Sequence, residues 1–152
     1  MKSKTGARST LKPKKRKKRR KYGSYLQTKK RLDKLVSQWV RMEHMDENGM
    51  IQCCTCENKT EFKLMQCGHF MSRRYSNTRY HPFNVAPQCR GCNMFAQGRQ
   101  WLMGRYLDRI HGEGTAYDMY RLSRSKNRIT QADLNALLTD YEQRIDALNQ
   151  SD

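Results

Sequence analysis

The sequence predicts an α+β protein: a metal-stapled core of short strands, a covering helix before it, further helices after it, and a disordered basic arm in front. Three observations carry that expectation. Two Cys-x-x-Cys pairs, Cys53/Cys56 and Cys89/Cys92, sit in the middle of the chain. Apolar residues fall at helical spacing on both sides of them, with only short apolar runs between. The positive charge is concentrated at one end.

That charge bounds the partners. The chain has 152 residues and a formal net charge of +17. Residues 1–31 hold 15 Lys or Arg and no acid, and the rest holds 16 basic against 14 acidic residues, so the rest is nearly neutral. Residues 1–22 have Leu11 as their only large aliphatic residue after Met1, and 14–21 are eight consecutive basic residues. Such a segment lacks the apolar surface that ordering requires. It suits a polyanion, and nucleic acid is the expected one. No transmembrane run or apolar signal core is visible, so a membrane partner is not expected. The paired cysteine spacing then favours reduced thiols, a metal and a cytoplasm over disulfides.

The elements follow in order. Residues 24–46 read as a helix, with Leu32, Leu35, Val36, Trp39 and Val40 as one apolar stripe and Asn48-Gly49 as the turn that ends it. This helix is expected to cover the metal module, with Trp39 in the core. Residues 50–53 read as a strand, 55–59 as the turn of a zinc knuckle and 62–65 as the return strand. A second hairpin-like or irregular segment is expected over 70–87. Residues 89–97 should start a helix, and 99–110 should form another, with Trp101, Leu102, Leu107 and Ile110 on its inner face. Gly112 and Gly114 break it, and 115–122 read as a short helix. Thr130 looks like an N-cap with Asp133 three residues later. Leu134, Leu137, Leu138, Tyr141, Ile145 and Leu148 carry that pattern to the C-terminus. The chain so divides into an arm (1–22), a covering helix (23–49), a zinc-stabilised core (50–111) and a helical extension (112–152).

A Cys-x-x-Cys turn presents two sulfurs to one ion, and two such turns complete a tetrahedral zinc site. Cys53, Cys56, Cys89 and Cys92 are the expected structural ligands. Cys54 is the poorer alternative to Cys53, because one residue separates it from Cys56. Cys67 reads as a buried small hydrophobe or an alternative ligand. A Cys67–His69 nucleophile pair is the less favoured thiol chemistry.

His69 lies between the two knuckles, and Asn84 and Asn93 follow it. Gly68-His69, Asn84 and the run from Cys89 to Asn93 resemble an HNH, or ββα-metal, nuclease site with asparagine in place of the final histidine. More closely, residues 53–98 resemble the phage recombination endonucleases of the lambda NinG (Rap) family. Gly68-His69, Ser72-Arg73, Arg79, Asn84-Val85, Gln88-Cys89, Cys92-Asn93 and Gly98 carry the resemblance, over about a third of the chain. It implies an HNH-like core that hydrolyses DNA phosphodiester bonds, at branched intermediates such as Holliday junctions, in a phage-infected bacterial cytoplasm. It implies His69 as general base, Asn93 as the ligand of a catalytic Mg²⁺ or Mn²⁺, Asn84 as the brace of the loop and of the histidine, and Arg73 and Arg79 as phosphate grips. A neutral imidazole activates water near neutral pH, and Arg donors match phosphate oxygens. One departure stands out: many such sites have Asp before the histidine, and this chain has Gly68. Asp108 is a distant acid that could replace it. His44, His81 and His111 read as structural or solvated.

The rival reading is a zinc-ribbon module that binds nucleic acid without cutting it. A second rival is a structural interaction protein whose C-terminal helix mediates homodimerisation, which is compatible with nuclease activity, since a junction-cutting enzyme commonly needs two sites.

Overall fold

The computed structural model describes residues 23–150. The arm expected over 1–22 lies outside the described residues. Within them the protein is α+β, with five helices, four short strands and three short helical turns. The first helix, α1, spans Tyr25–Glu43. Ser24 accepts from the Gln27 N–H, and the Gln27 side chain accepts from the Ser24 N–H, a reciprocal cap that satisfies two orphan donors. Past its C-terminal end, Gly49 turns the chain with φ 74°, while the Asp46 carboxylate accepts from the Asn48 and Met50 N–H groups.

Two antiparallel hairpins follow. Strand β1 (Met50–Gln52) pairs with β2 (Lys59–Glu61), and β3 (Gln66–His69) pairs with β4 (Val85–Gln88), with His69 opposite Val85 and Gly68 opposite Ala86. The expected return strand at 62–65 is a turn instead: the Leu64 and Met65 N–H groups both bond back to Glu61 O. Phe62 and Met65 are apolar for another reason, since both pack on the cysteine cluster. The segment expected to be hairpin-like or irregular over 70–87 holds a short helix, α2 (Ser76–Arg79), a 3₁₀ turn (Pro82–Asn84) and most of β4.

The helix expected over 89–97 is a single π-helical turn, Gly91–Phe95. A 3₁₀ turn, Gln97–Arg99, follows and is broken at Gly98, where φ is 77°. Helix α3 therefore begins at Gln100 and runs to His111. Its buried face is Met103, Gly104 and Leu107, whereas Trp101 is 69% exposed and Leu102 and Ile110 are also exposed. Gly104 allows that face to lie close: a Cβ there would come within 3.1 Å of the Phe70 ring. Helix α4 is Thr115–Ser123 and α5 is Gln131–Asn149, the latter opened by the expected Thr130/Asp133 capping box.

There are two apolar clusters. The larger joins Leu32, Val36, Trp39 and Val40 of α1 to Leu134, Leu138, Tyr141 and Ile145 of α5, with Tyr80 and Val85 beneath. Trp39 meets Tyr141 edge-on at 5.4 Å, and Tyr141 donates its hydroxyl to Tyr80 O at 2.7 Å. The smaller cluster is Ile51, Cys53, Met65, Cys89 and Cys92. The α1 stripe thus covers the β3–β4 hairpin and α5 rather than the cysteines. On the metal side, Arg41 of α1 lies 4.3 Å from the Phe62 ring and donates to Phe62 O.

Candidate active site and metal centre

The knuckle cysteines converge as their spacing requires. The Cys53 N–H bonds to Asn58 O and the Cys54 N–H to Pro87 O, which ties the first knuckle to β4. The sulfurs of Cys53, Cys56, Cys89 and Cys92 all lie within 4.8 Å of one another, and Cys56 Sγ is 3.7 Å from Cys89 Sγ. Four thiolates at about 2.3 Å from one zinc would sit about 3.8 Å apart. The donor set and its spacing therefore fit a zinc, and these four residues could hold one. Cys54 and Cys67 stand outside the cluster. Burial pushes the Cys67 thiol up to about 12, so it stays protonated and is a poor nucleophile.

His69 ends β3. Its Nε2 lies 3.2 Å from the carbonyl oxygen of Arg79. A carbonyl only accepts, so Nε2 carries the proton and Nδ1 keeps the lone pair. Burial first, and the Arg73 cation second, push the imidazole down to about 4, so it is neutral at neutral pH. Asn84 is fully buried and acts on the neighbouring loop: Oδ1 accepts from the Met71 N–H at 2.7 Å and Nδ2 donates to Met71 O at 3.0 Å. Its main-chain carbonyl also accepts from the Phe70 N–H. Asn84 therefore fixes the chain just after His69, and the ring itself is held by Arg79 O.

Arg79 is committed within the protein. It makes a two-pronged pair with Asp33, at 2.8 and 2.7 Å, and donates to Arg73 O. Arg73 is exposed and makes no ion pair among the described residues, so its guanidinium is free for an anion. Asn93 sits in the π-helical turn, and its Nδ2 donates to Gln66 Oε1 at 2.8 Å. That leaves Oδ1 as the oxygen Asn93 can offer.

Asp33, His69, Arg73, Gln66 and Asn93 line one groove of about 890 Å³, together with Gln97 and Gly98. Arg79 and Asn84 support it from behind. His44, His81, His111 and Asp108 do not line it. His44 Nδ1 pairs with Val40 O, His81 and His111 flank Phe83, and Asp108 accepts from the Ala116 N–H at the start of α4.

The sequence pattern missed Asp33 as a site residue, and it gave Gln88 a place in the resemblance but no role. Asp33 looked like any polar residue on the outer face of α1. Gln88 is fully buried, and its Nε2 donates to Gly98 O at 2.7 Å and to Thr55 Oγ1. It also explains Gly68. A Cβ on Gly68 would lie 2.2 Å from Gln88 Oε1 and 2.7 Å from its Cδ, so no larger residue fits there without moving Gln88.

Among the described residues no helix is long and apolar enough to cross a membrane. No curated protein and no solved structure matches the chain. The family model described as Bacteriophage Lambda NinG protein matches residues 2–151, so the chain belongs to the NinG family.

Proposed function

We propose that this protein is a divalent-metal-dependent DNA endonuclease with an HNH-like site, acting on branched recombination intermediates such as Holliday junctions. The observation that carries the reading is His69: a neutral imidazole, its Nε2 fixed on the Arg79 carbonyl, in a groove shared with Arg73 and Asn93. Membership of a bacteriophage NinG family supports the recombination role. The β3–β4 hairpin followed by a helical turn that carries Asn93 is the order a ββα-metal site needs.

In this reading a water oxygen attacks phosphorus and His69 Nδ1 takes the water proton. The bond from phosphorus to the leaving sugar oxygen breaks, and that oxygen gains a proton from solvent. Arg73 holds a non-bridging phosphate oxygen. Asn93 Oδ1 would be the protein oxygen that holds a divalent cation, which would supply charge neutralisation at the phosphate. The residues fit such an ion only in part, because the one carboxylate in the groove, Asp33, is bound by Arg79. One neutral amide oxygen would hold a hard cation weakly, so DNA oxygens would be needed to complete the site.

The test is nicking of supercoiled plasmid and cutting of a synthetic four-way junction by zinc-loaded protein, with and without Mg²⁺. Cutting that appears only with added Mg²⁺ or Mn²⁺ is expected. Tight binding of both DNAs with no cutting at any divalent concentration would favour the non-catalytic zinc-ribbon reading.

A further inference from the structure

Helix α3 turns its aromatic face outward. Trp101 is 69% exposed, and the Arg105 guanidinium lies 5.0 Å from its ring centroid. One turn on, Arg109 lies 5.5 Å from the Tyr106 ring. Trp101, Arg105 and Arg109 recur every four residues, which places them along one side of the helix. Leu102, Arg105, Tyr106 and Arg109 form one wall of a cleft of about 730 Å³, and the first cysteine knuckle, Gln52 to Glu57, forms the other with His44. Neither arginine makes an ion pair among the described residues, and Glu57 is the one carboxylate in the lining. The cleft shares no lining residue with the His69 groove. Gln97 and Gly98 are among the residues that line that groove, and Gly98 precedes Trp101 by three residues.

We infer that this cleft and the outer face of α3 bind an unpaired DNA strand, with bases stacked on Trp101 and Tyr106 and phosphates on Arg105 and Arg109. Every base has a π face, and rings interleaved with arginines, here the exposed Trp101 and the half-buried Tyr106 at the cleft wall, are the surface that single strands use. A duplex keeps its base faces covered and can use only the arginines. The volume lies within the roughly 300–1,000 Å³ of pockets that enclose small ligands, so a nucleotide or two enters. The inference deepens the proposed function, on which it rests for the choice of DNA. It makes the substrate one with a single-stranded segment that leaves the catalytic groove along α3.

Tryptophan fluorescence tests it. Trp39 is buried against Tyr141, so an added ligand reaches Trp101 alone. The zinc-loaded full chain carrying His69→Ala is titrated with oligothymidylate, and in parallel with a duplex of equal length, with no added Mg²⁺. Quenching by oligothymidylate but not by duplex is expected, and it should vanish in Trp101→Phe. Trp101→Ala should weaken oligothymidylate binding roughly ten-fold or more while duplex affinity stays within about two-fold. Arg105→Ala should weaken oligothymidylate and lower its log–log salt slope by roughly 0.7. Saturating binding without quenching, equal losses for duplex and single strand, or tighter binding of oligouridylate would overturn the inference. The readout is binding by a chain that carries His69→Ala, so failure of the nuclease reading shows separately, in the cutting assay.

Discussion

At the scale of single residues, the site turns on which nitrogen of His69 is free. The Arg79 carbonyl assigns the proton to Nε2, and burial with the Arg73 cation lowers the pKa to about 4 from 6.5. In the proposed nuclease, neutral imidazole is the active form, so protonation should abolish activity as pH falls. The acid limb of kcat/KM, which reports the free enzyme, should therefore lie nearer pH 4 than 6.5. The sign for stability is the same. The unfolded chain binds the proton more readily, so His69 favours folding above pH 6.5 and loses that contribution as pH falls through 4. A rate profile with a half-loss at 6.5 that disappears in His69→Ala would contradict this environment. His69, Asn84 and Asn93 were legible because their spacing around the knuckles is a motif. The reason for Gly68 was not, since it depends on Gln88, a residue from the partner strand that only register brings above it.

At the scale of elements, α1 supplies more than cover. Asp33 projects from it onto Arg79, and Arg79 carries the carbonyl that holds His69. Arg79→Met should cost about 1–3 kcal/mol of stability through loss of charged hydrogen bonds. In the proposed nuclease it should also lower kcat with little change in DNA affinity, because there Arg79 would position the base and Arg73 would hold phosphate. A variant that loses affinity and keeps kcat would place Arg79 on the DNA instead. Helical periodicity disclosed α1, α4 and α5, and the capping sequence at Thr130 disclosed where α5 begins. It failed on α3. Left-handed backbone at Gln97, Gly98 and Arg99 separates α3 from the turn before it, and Met103, Gly104 and Leu107 form its inner face. The strand expected at 62–65 failed for a related reason: Phe62 and Met65 serve the cysteine cluster from a turn, and apolar content alone does not separate a turn from a strand.

At the scale of the whole molecule, the fold has two centres of stability. The α1–α5 cluster is an ordinary apolar core. The knuckle half has only a few buried apolar residues around four cysteines, and it carries β1, the start of the π-helical turn and hence Asn93. Zinc bound to such a set contributes about 10–16 kcal/mol in small peptides, comparable to the whole stability of a domain at about 5–15 kcal/mol. Chelation, or Cys89→Ala, should therefore unfold the knuckle half and remove cutting. Unchanged melting and circular dichroism after verified zinc loss would refute a structural zinc. The cysteine pairs made this half readable from sequence. The packing of α5 against α1 was not readable, because it joins segments about a hundred residues apart that share only apolar periodicity.

The central claim is that His69 does chemistry in a groove where other residues hold the DNA. The most direct measurement compares wild type and His69→Ala, both zinc-loaded, for cutting and for binding of the same four-way junction at the same salt with Mg²⁺. Phosphate contacts dominate affinity, so the variant should bind within about two-fold of wild type. Loss of a general base costs roughly 10²–10⁴-fold in rate. A His69→Ala protein that cuts the junction at the wild-type rate would contradict the account.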